Sequence, residues 1–139
     1  MYKRQAPTVS PSTAYLNFGL DAAHSSSSGV QLKTVDGSSS PSGIVMPVNG
    51  AFTNVTASFD ASSYGGSSST FQLNIIISHS NGTTTTRTAS VEVTGNGSTT
   101  FNTSVAGSYS AGERIKITLT QDAGHTSTNL HVLLRIQES

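Results

Sequence analysis

Apolar and polar residues alternate along the chain after residue 69, and short turn sequences separate the alternating runs. The longest run is interrupted only by Ile76, and its regularly spaced apolar positions are Phe71, Leu73, Ile75 and Ile77. Side chains of a β-strand point alternately to its two faces, so a period of two predicts a strand with one buried face. No helical period interrupts this stretch, and the sequence predicts an all-β protein.

The same alternation predicts strands at residues 51 to 60, 84 to 93 and 99 to 105. Two further strands are predicted near the end of the sequence, with inward-facing residues Ile115, Ile117, Leu119, Leu130, Val132, Leu134 and Ile136. The dipeptide Asn81-Gly82 supplies the positive φ values that a tight reversal between strands needs. These strands are therefore expected to pair with their neighbours as antiparallel hairpins.

Shorter apolar runs in the first part of the chain predict three more strands, at Tyr15 to Leu20, Val30 to Val35 and Ile44 to Met46. Serine-rich and glycine-containing segments separate them. About 8–10 strands with short connections predict an antiparallel β-sandwich of the jelly-roll type.

The chain has 139 residues, of which 34% are hydrophobic, which is enough for the core of one domain. We expect an extended N-terminal tail over residues 1–13, where Pro7 and Pro11 stand among small polar residues, and a single β-sandwich domain over residues 14–139. Residues Met1 to Gln5 differ in composition from the rest of the chain, so we interpret them as non-native sequence.

Composition excludes several classes of partner. Serine and threonine fill 44 positions (25 Ser and 19 Thr), charged residues make up 10%, and the formal net charge is zero. Nucleic-acid binding needs a basic surface, so we expect no nucleic-acid partner. No apolar run approaches the length of a membrane span, so we expect no membrane insertion. The absence of cysteine removes disulfides and thiolate metal sites.

Catalytic and metal-binding patterns are also missing from the sequence. Its histidines are His24, His79, His125 and His131, and no two of them have the spacing of metal ligands. There is no Gly-x-Ser-x-Gly motif, and the carboxylates are spread singly along the chain, whereas hydrolysis needs an oriented base or a pair of carboxylates. We therefore expect a protein that is not an enzyme and has no metal or cofactor.

Ligand contacts are expected in the connections between strands, because loops carry recognition in folds of this kind. If strand directions alternate, residues 62–69, 95–97 and 122–128 lie at one end of the sandwich and residues 79–83 and 106–112 at the other. The candidate contacts in these connections are Tyr64, His79, Asn81, Tyr109 and His125. Tyr64 and Tyr109 are the aromatic candidates for stacking on a sugar, whereas the alternative for His79 and His125 is a solvated loop position.

Three basic residues lie at outward positions of the last two predicted strands: Arg114, Lys116 and Arg135. They are candidates for contacts across an oligomer seam or with an anionic receptor. Solvated surface positions are the alternative.

Three sequence signatures occur in order. The segment from Tyr15 to Gly19 precedes a serine-rich loop, Gly43 to Gly50 (GIVMPVNG) leads into a long alternating strand, and Ala111 to Ile115 (AGERI) is followed by a strand ending in Leu134-Arg135-Ile136. This order resembles the jelly-roll domains of tailed-phage fibre and virion-surface proteins. The residues before the strands are also similar to those of β-sandwiches of the C1q and tumour-necrosis-factor type.

The resemblance implies a homotrimer that serves as a cap or attachment tip on the virion surface, where it contacts other virion proteins and adheres to a bacterial surface glycan. It transfers no catalytic or binding residues. Two alternatives remain open: a monomeric exported carbohydrate-binding module, located outside the cell or on the bacterial surface, and a decoration protein without a ligand. The mass in solution distinguishes the trimeric tip from the monomeric module.

Overall fold

The computed structural model describes residues 12–20, 23–25, 27–34 and 43–139. The predicted tail up to residue 11, which includes the segment interpreted as non-native, lies outside the described residues. Val35, the last residue of the second predicted strand, also lies outside them. The described strands are β1 (Thr13–Leu20), β2 (Ser27–Gln31), β3 (Lys33–Thr34), β4 (Ile44–Val45), β5 (Gly50–Ser62), β6 (Ser69–Ser78), β7 (Thr84–Val93), β8 (Gly97–Tyr109), β9 (Arg114–Gln121) and β10 (Thr126–Glu138). Within the part of the chain that the structure describes there is no helix, hence none that could cross a membrane.

The strands form two antiparallel sheets that face each other. Sheet A has the order β3-β1-β10-β5-β8, and sheet B has the order β2-β9-β6-β7, with β4 also paired to β9. The pairs are nested along the chain: β6 with β7, β5 with β8 around them, then β2 with β9 and β1 with β10. This nesting gives the wrapped topology of a jelly roll. The predicted all-β sandwich of jelly-roll type is confirmed.

The core lies between the two sheets and consists of the inward-facing set on each strand. On β6 every second residue from Ser69 to Ile77 is buried, as the alternation predicts. Phe59 of sheet A stacks on Phe71 of sheet B with ring centroids 4.0 Å apart, so aromatic contacts join the two layers. Each fully buried large side chain contributes about 2 kcal/mol to folding.

Two β-bulges change which residues face the core. The buried residues of β5 are Gly50 and Phe52 before the first irregularity, and the series resumes at Val55 after it. In β10 the three steps from Thr128 to His131 face only two steps of β5, and Asn129 lies in this bulge with a φ of 53°. Asparagine tolerates this left-handed conformation better than most residues.

Strand bounds agree closely with prediction for β7, which begins at Thr84 and ends at Val93 as expected. The predicted loop from Ala106 to Gly112 is wrong at its start, because β8 continues to Tyr109. The strand continues there through a close packing contact: a Cβ on Gly107 would overlap the ring of Phe52. The loop is therefore shorter than expected and begins at Ser110.

Candidate functional site

The connections between strands gather at two ends of the sandwich, in the grouping that the sequence predicted. The His125 end comprises residues 63–68, 94–96 and 122–125, and the Glu113 end comprises residues 79–83 and 110–113. At the His125 end the Gly65 amide donates to Gly124 O over 2.9 Å, and the Tyr64 amide donates to Asn96 Oδ1 over 2.9 Å. Backbone and side-chain hydrogen bonds therefore join the three connections at this end.

A buried polar network underlies the His125 end. Ser69 is fully buried, and the side chains of His125 and Ser127 are almost so. The Ser69 hydroxyl contacts both Asp122 Oδ1 and His125 Nδ1, the latter over 2.6 Å. On the other side of the ring, His125 Nε2 lies 2.9 Å from Ser127 Oγ. Four side chains thus form one continuous chain of hydrogen bonds from Ser127 to Asp122.

The protonation of this chain of hydrogen bonds is determined by its two ends. The hydrogen bond from Ser69, more than those from the amides of Thr70 and Gly124, lowers the pKa of Asp122. The carboxylate is therefore ionised and can only accept hydrogen bonds. Ser69 must then donate to Asp122 and accept from His125 Nδ1–H. Burial lowers the pKa of His125 below its ordinary value of 6.5, although the charge of Asp122 opposes this. The neutral ring consequently accepts at Nε2 from the Ser127 hydroxyl.

Serine, histidine and aspartate thus meet in this network, but not in the order of a hydrolytic triad. In a triad the carboxylate and the nucleophilic hydroxyl bind opposite nitrogens of the imidazole. Here Ser69 separates Asp122 from His125, and the hydroxyls on both sides of the ring are buried. The network joins the start of β6 to the connection between β9 and β10, and its hydroxyls are not accessible to a substrate.

A second histidine lies beside a carboxylate at the Glu113 end. His79 Nδ1 is 2.9 Å from Glu113 Oε2, and His79 Nε2 is 2.7 Å from Thr85 Oγ1. Glu113 also accepts from the Ser110 amide over 2.7 Å and from the Ser80 amide over 3.2 Å. The carboxylate therefore holds the β6–β7 turn and the β8–β9 connection together.

Glu113 is held in its charged form by these donors. The Ser110 amide is the main cause that lowers the pKa of Glu113, with smaller contributions from His79 and the Ser80 amide, while desolvation opposes them. The His79 side chain remains partly accessible to solvent, with 23% of its surface exposed. The group is a polar clamp in which Glu113 is buried and His79 is partly exposed.

The predicted ligand contacts have different surroundings in the structure. Asn81 is exposed, and its Oδ1 accepts from the Thr83 amide and hydroxyl over 3.0 and 2.6 Å, which shapes the turn. Tyr64 is half-buried and packs against the core. The expectation of a solvated loop position is wrong for His125, which is 1% exposed. The expectation of a sugar-stacking ring is wrong for Tyr109, which ends β8 with 4% exposure and offers a sugar no free ring face.

The three basic candidates do not share a surface. Arg114 and Lys116 lie on the outer face of β9 in sheet B, whereas Arg135 lies on the outer face of β10 in sheet A. Arg114 and Lys116 therefore belong to one surface and Arg135 to another. A contact of these residues with an oligomer seam or an anionic receptor stays a prediction.

Sequence reasoning missed Tyr15, which is the most exposed large apolar side chain among the described residues, at 56%. The signal was in the alternation: Leu16, Phe18 and Leu20 share the inward face of β1, so Tyr15 points outward. Opposite it on β10 stands Arg135. An aromatic ring and a guanidinium group are thus neighbours on the outer face of sheet A.

The outer face of sheet B carries an ordered array of amides and hydroxyls. Gln72 Nε2 donates to Asn74 Oδ1 over 2.8 Å, and Asn74 Nδ2 lies 3.2 Å from both Thr118 Oγ1 and Thr120 Oγ1. These groups satisfy one another across β6 and β9. The array is therefore preorganised, but part of its hydrogen-bonding capacity is already used.

A shallow polar groove of about 380 Å³ lies beside the His125 end, between the end of β7 and the start of β8. Its walls include Glu92, Asn96 and Ser98. The described residues contain no cluster of three or more histidine or acidic side chains that could hold a metal ion. Comparisons with protein-family models and with curated proteins find no match for this chain.

Proposed function

We propose that this chain is a non-enzymatic attachment domain of a phage virion surface or tail fibre, which acts as a homotrimer and binds a glycan on the host cell. Recognition on this proposal takes place at the surface of a rigid sandwich. The chain contributes shape and hydrogen-bonding groups and carries out no covalent chemistry.

One observation carries the proposal: the reactive side chains are engaged inside the fold, while the outer faces of the sheets present hydroxyl and amide groups. His125 and its two serines are buried, and Glu113 is surrounded by donors from its own fold. The exposed chemistry on β5, β7 and β8 is mainly that of threonine, serine and asparagine, and the charged residues Arg87 and Glu92 are also exposed on β7. Groups of this kind match the alternating donors and acceptors of a polyhydroxylated ligand.

The phage location and the trimer are supported by the sequence resemblance together with the jelly-roll pairing of the strands. A sandwich with two flat outer faces can use one face against its own copies and leave the other free. Closed assemblies of identical chains commonly have such a division of surfaces.

The experiment that tests the proposal measures the mass of the full chain in solution by light scattering after size exclusion, followed by binding to an array of bacterial surface polysaccharides. A mass three times that of one chain, with binding to at least one polysaccharide, is the expected result. A monomer contradicts the trimer, and absence of binding to every polysaccharide contradicts adhesion.

A monomeric carbohydrate-binding module is the second candidate, and the distribution of exposed apolar side chains favours it. The large ones among the described residues are Tyr15, Val45 and Val48, and they do not form one patch, since β1 and β4 belong to different sheets. Obligate interfaces are usually more apolar. A monomeric mass with glycan binding would select this candidate, whereas a trimer that binds no glycan would select a decoration protein.

A further inference from the structure

The outer face of sheet A has a regular set of cross-strand rows around Tyr15. Strand register places four residues in each row, one from each of β1, β10, β5 and β8. The three rows are Tyr15-Arg135-Asn54-Ser104, Asn17-Leu133-Thr56-Asn102 and Gly19-His131-Ser58-Thr100. We call this surface the Tyr15 face.

We infer that the Tyr15 face is a glycan-binding site for an extended, acidic polysaccharide. Tyr15 stacks on a sugar ring, and Arg135 binds a sugar carboxylate. The inference rests on the proposed function, because it names the ligand class and the surface for the adhesion proposed above. It moves the site from the ends of the sandwich, where Tyr109 and His125 are buried, to a sheet face.

Chemistry on the face matches each part of such a ligand. An exposed tyrosine offers a flat apolar surface to the C–H groups of a sugar ring and keeps a polar hydroxyl for water or ligand. The neighbouring amides on β1, β5 and β8 are Asn17, Asn54 and Asn102, each able to donate and accept. Arginine binds carboxylates through two parallel N–H groups, which gives a directional contact.

Charge on the face favours an anion. None of the twelve residues in the three rows is a carboxylate, and Arg135 is exposed. The nearest carboxylate along β5 is Asp60, beyond the Ser58 row, where Asn129 and Ser98 donate to it over 2.9 Å each. These hydrogen bonds lower the pKa of Asp60, so its negative charge lies at the margin farthest from Arg135. Glu138 is three positions after Arg135 on β10, but it is half-buried and the alternation places it on the inward side. An acidic chain would therefore be attracted to the Tyr15–Arg135 side of the face.

The shape of the face favours a polymer. Rows are about 7 Å apart along the strands and neighbouring strands about 5 Å apart, so the side chains form a grid that spans several sugar units. Small ligands need concave sites, whereas an open grid suits an extended chain that makes many weak contacts. The alternative occupant, a second copy of this chain, is less well matched because Tyr15 and Leu133 are the only large apolar residues in the rows.

The test compares binding of the full chain to two immobilised probes by biolayer interferometry: polygalacturonate as a uronate polymer and dextran as a neutral one. We expect the wild type to bind polygalacturonate more tightly. Tyr15→Ala is expected to weaken binding to both polymers by about tenfold, the change that accompanies loss of roughly 1.4 kcal/mol. Arg135→Gln is expected to weaken binding to polygalacturonate alone.

Two variants serve as matched controls. Arg114→Gln removes an exposed arginine from the opposite sheet and leaves binding unchanged on this inference. Tyr15→Phe keeps the aromatic ring and retains most of the affinity. Thermal melts and light scattering of every variant establish that fold and mass match those of the wild type.

Each remaining outcome contradicts the inference in a recognisable way. Unchanged affinity in Tyr15→Ala, or an equal loss in Arg114→Gln, shows that the glycan binds elsewhere and leaves the proposed adhesion standing. A change of mass in Tyr15→Ala shows that the face is a seam between copies. A wild type that binds other array polysaccharides but neither probe overturns the acidic-polysaccharide site, whereas one that binds nothing on the array overturns the proposed adhesion as well.

Discussion

The two ends of the sandwich each place a histidine near a carboxylate, but they use it differently. At the Glu113 end, His79 contacts the carboxylate directly over 2.9 Å and remains partly exposed. At the His125 end, the ring is buried and Ser69 stands between it and Asp122. The first histidine contacts a carboxylate directly, whereas the second connects two serines as a neutral donor and acceptor.

The difference shows that burial and the interposed hydroxyl decide what a histidine does here. A buried cation is costly without a direct partner, so the His125 ring stays neutral and is held by hydrogen bonds to two serine hydroxyls. At the Glu113 end, the clamp is partly exposed at His79, and the apolar packing beneath it, where Tyr109 and Phe52 are buried, supplies most of the stabilisation. The two ends should therefore respond differently to truncation and to acid.

The largest expected effect tests the apolar packing of the Glu113 end. Tyr109→Ala is expected to lower the free energy of unfolding by about 3–4 kcal/mol, because it leaves a cavity in the core. Urea unfolding followed by circular dichroism measures the change. A loss below about 1 kcal/mol would contradict the central role of packing at this end.

Tyr109→Phe is the matched control for that variant. The Tyr109 hydroxyl is buried and has no hydrogen-bond partner among the described residues. Removing it keeps the ring and relieves an unsatisfied polar group, so stability should stay within about 1 kcal/mol of the wild type or rise. A large loss in Tyr109→Phe would indicate that the hydroxyl is hydrogen-bonded.

A smaller loss is expected at the His125 end. His125→Phe keeps a ring against Phe59 but removes both hydrogen bonds of the imidazole, which leaves Ser127 without this partner. We expect a loss of about 2 kcal/mol in the free energy of unfolding, measured in urea. Adding Ser127→Ala should recover roughly half of it, since the orphaned hydroxyl is then absent. No recovery in the double variant would show that the hydroxyl is not the source of the cost.

Acid should affect the two ends in different pH ranges. The pKa of His125 is lowered in the folded state, so unfolded chains bind its proton more readily and stability falls as pH drops below 6.5. The lowered pKa of Glu113 adds a second loss, which begins below its ordinary value of 4.5. Unfolding measured from pH 8 to pH 3 should show both phases. His125→Phe should abolish the upper phase. Glu113→Gln should reduce the lower phase but not remove it, because the pKa values of Asp60 and Asp122 are also lowered. An unchanged profile in either variant would contradict its assignment.

The smallest effect is expected from truncating His79, the partly exposed histidine. His79→Ala removes one donor from Glu113, but the amides of Ser110 and Ser80 continue to hold the carboxylate. One hydrogen bond at a partly exposed site contributes little, so the expected loss is about 1 kcal/mol or less. The melting temperature at pH 7 measures it. A loss equal to that of His125→Phe would remove the distinction between the two ends.

Much of the fold was predictable because sandwich strands show their buried face in the alternation. The inward apolar residues of β6, β9 and β10 were all identified in this way, whereas the buried polar residues Ser69, Gln121 and Ser127 were not. The bulges were not, since an irregularity such as that at Asn129 depends on the partner strand. The length of β8 was underestimated because Gly107 and Ser108 look like loop residues, although Val105, Gly107 and Tyr109 continue the buried alternation.

The candidate site was less predictable than the fold. Whether His125 is solvated depends on Ser69, which is distant in sequence and reaches the ring only through the pairing of β6 and β9. Tyr15 was visible as an outward residue, but its neighbours on the same face come from β10, β5 and β8. Alternation reveals the face of each residue, and only strand order reveals which residues share a surface.

The nested pairing of the strands also limits the order in which the strand pairs can form during folding. β6 and β7 are joined by one short turn and can pair early, whereas β1 must wait for β10 to be synthesised before its eight-residue register can form. Each outer pair closes a longer loop, so its entropic cost falls once the inner pairs exist. Refolding should therefore proceed from the β6–β7 hairpin outward, on roughly the millisecond-to-second timescale of folds dominated by distant contacts.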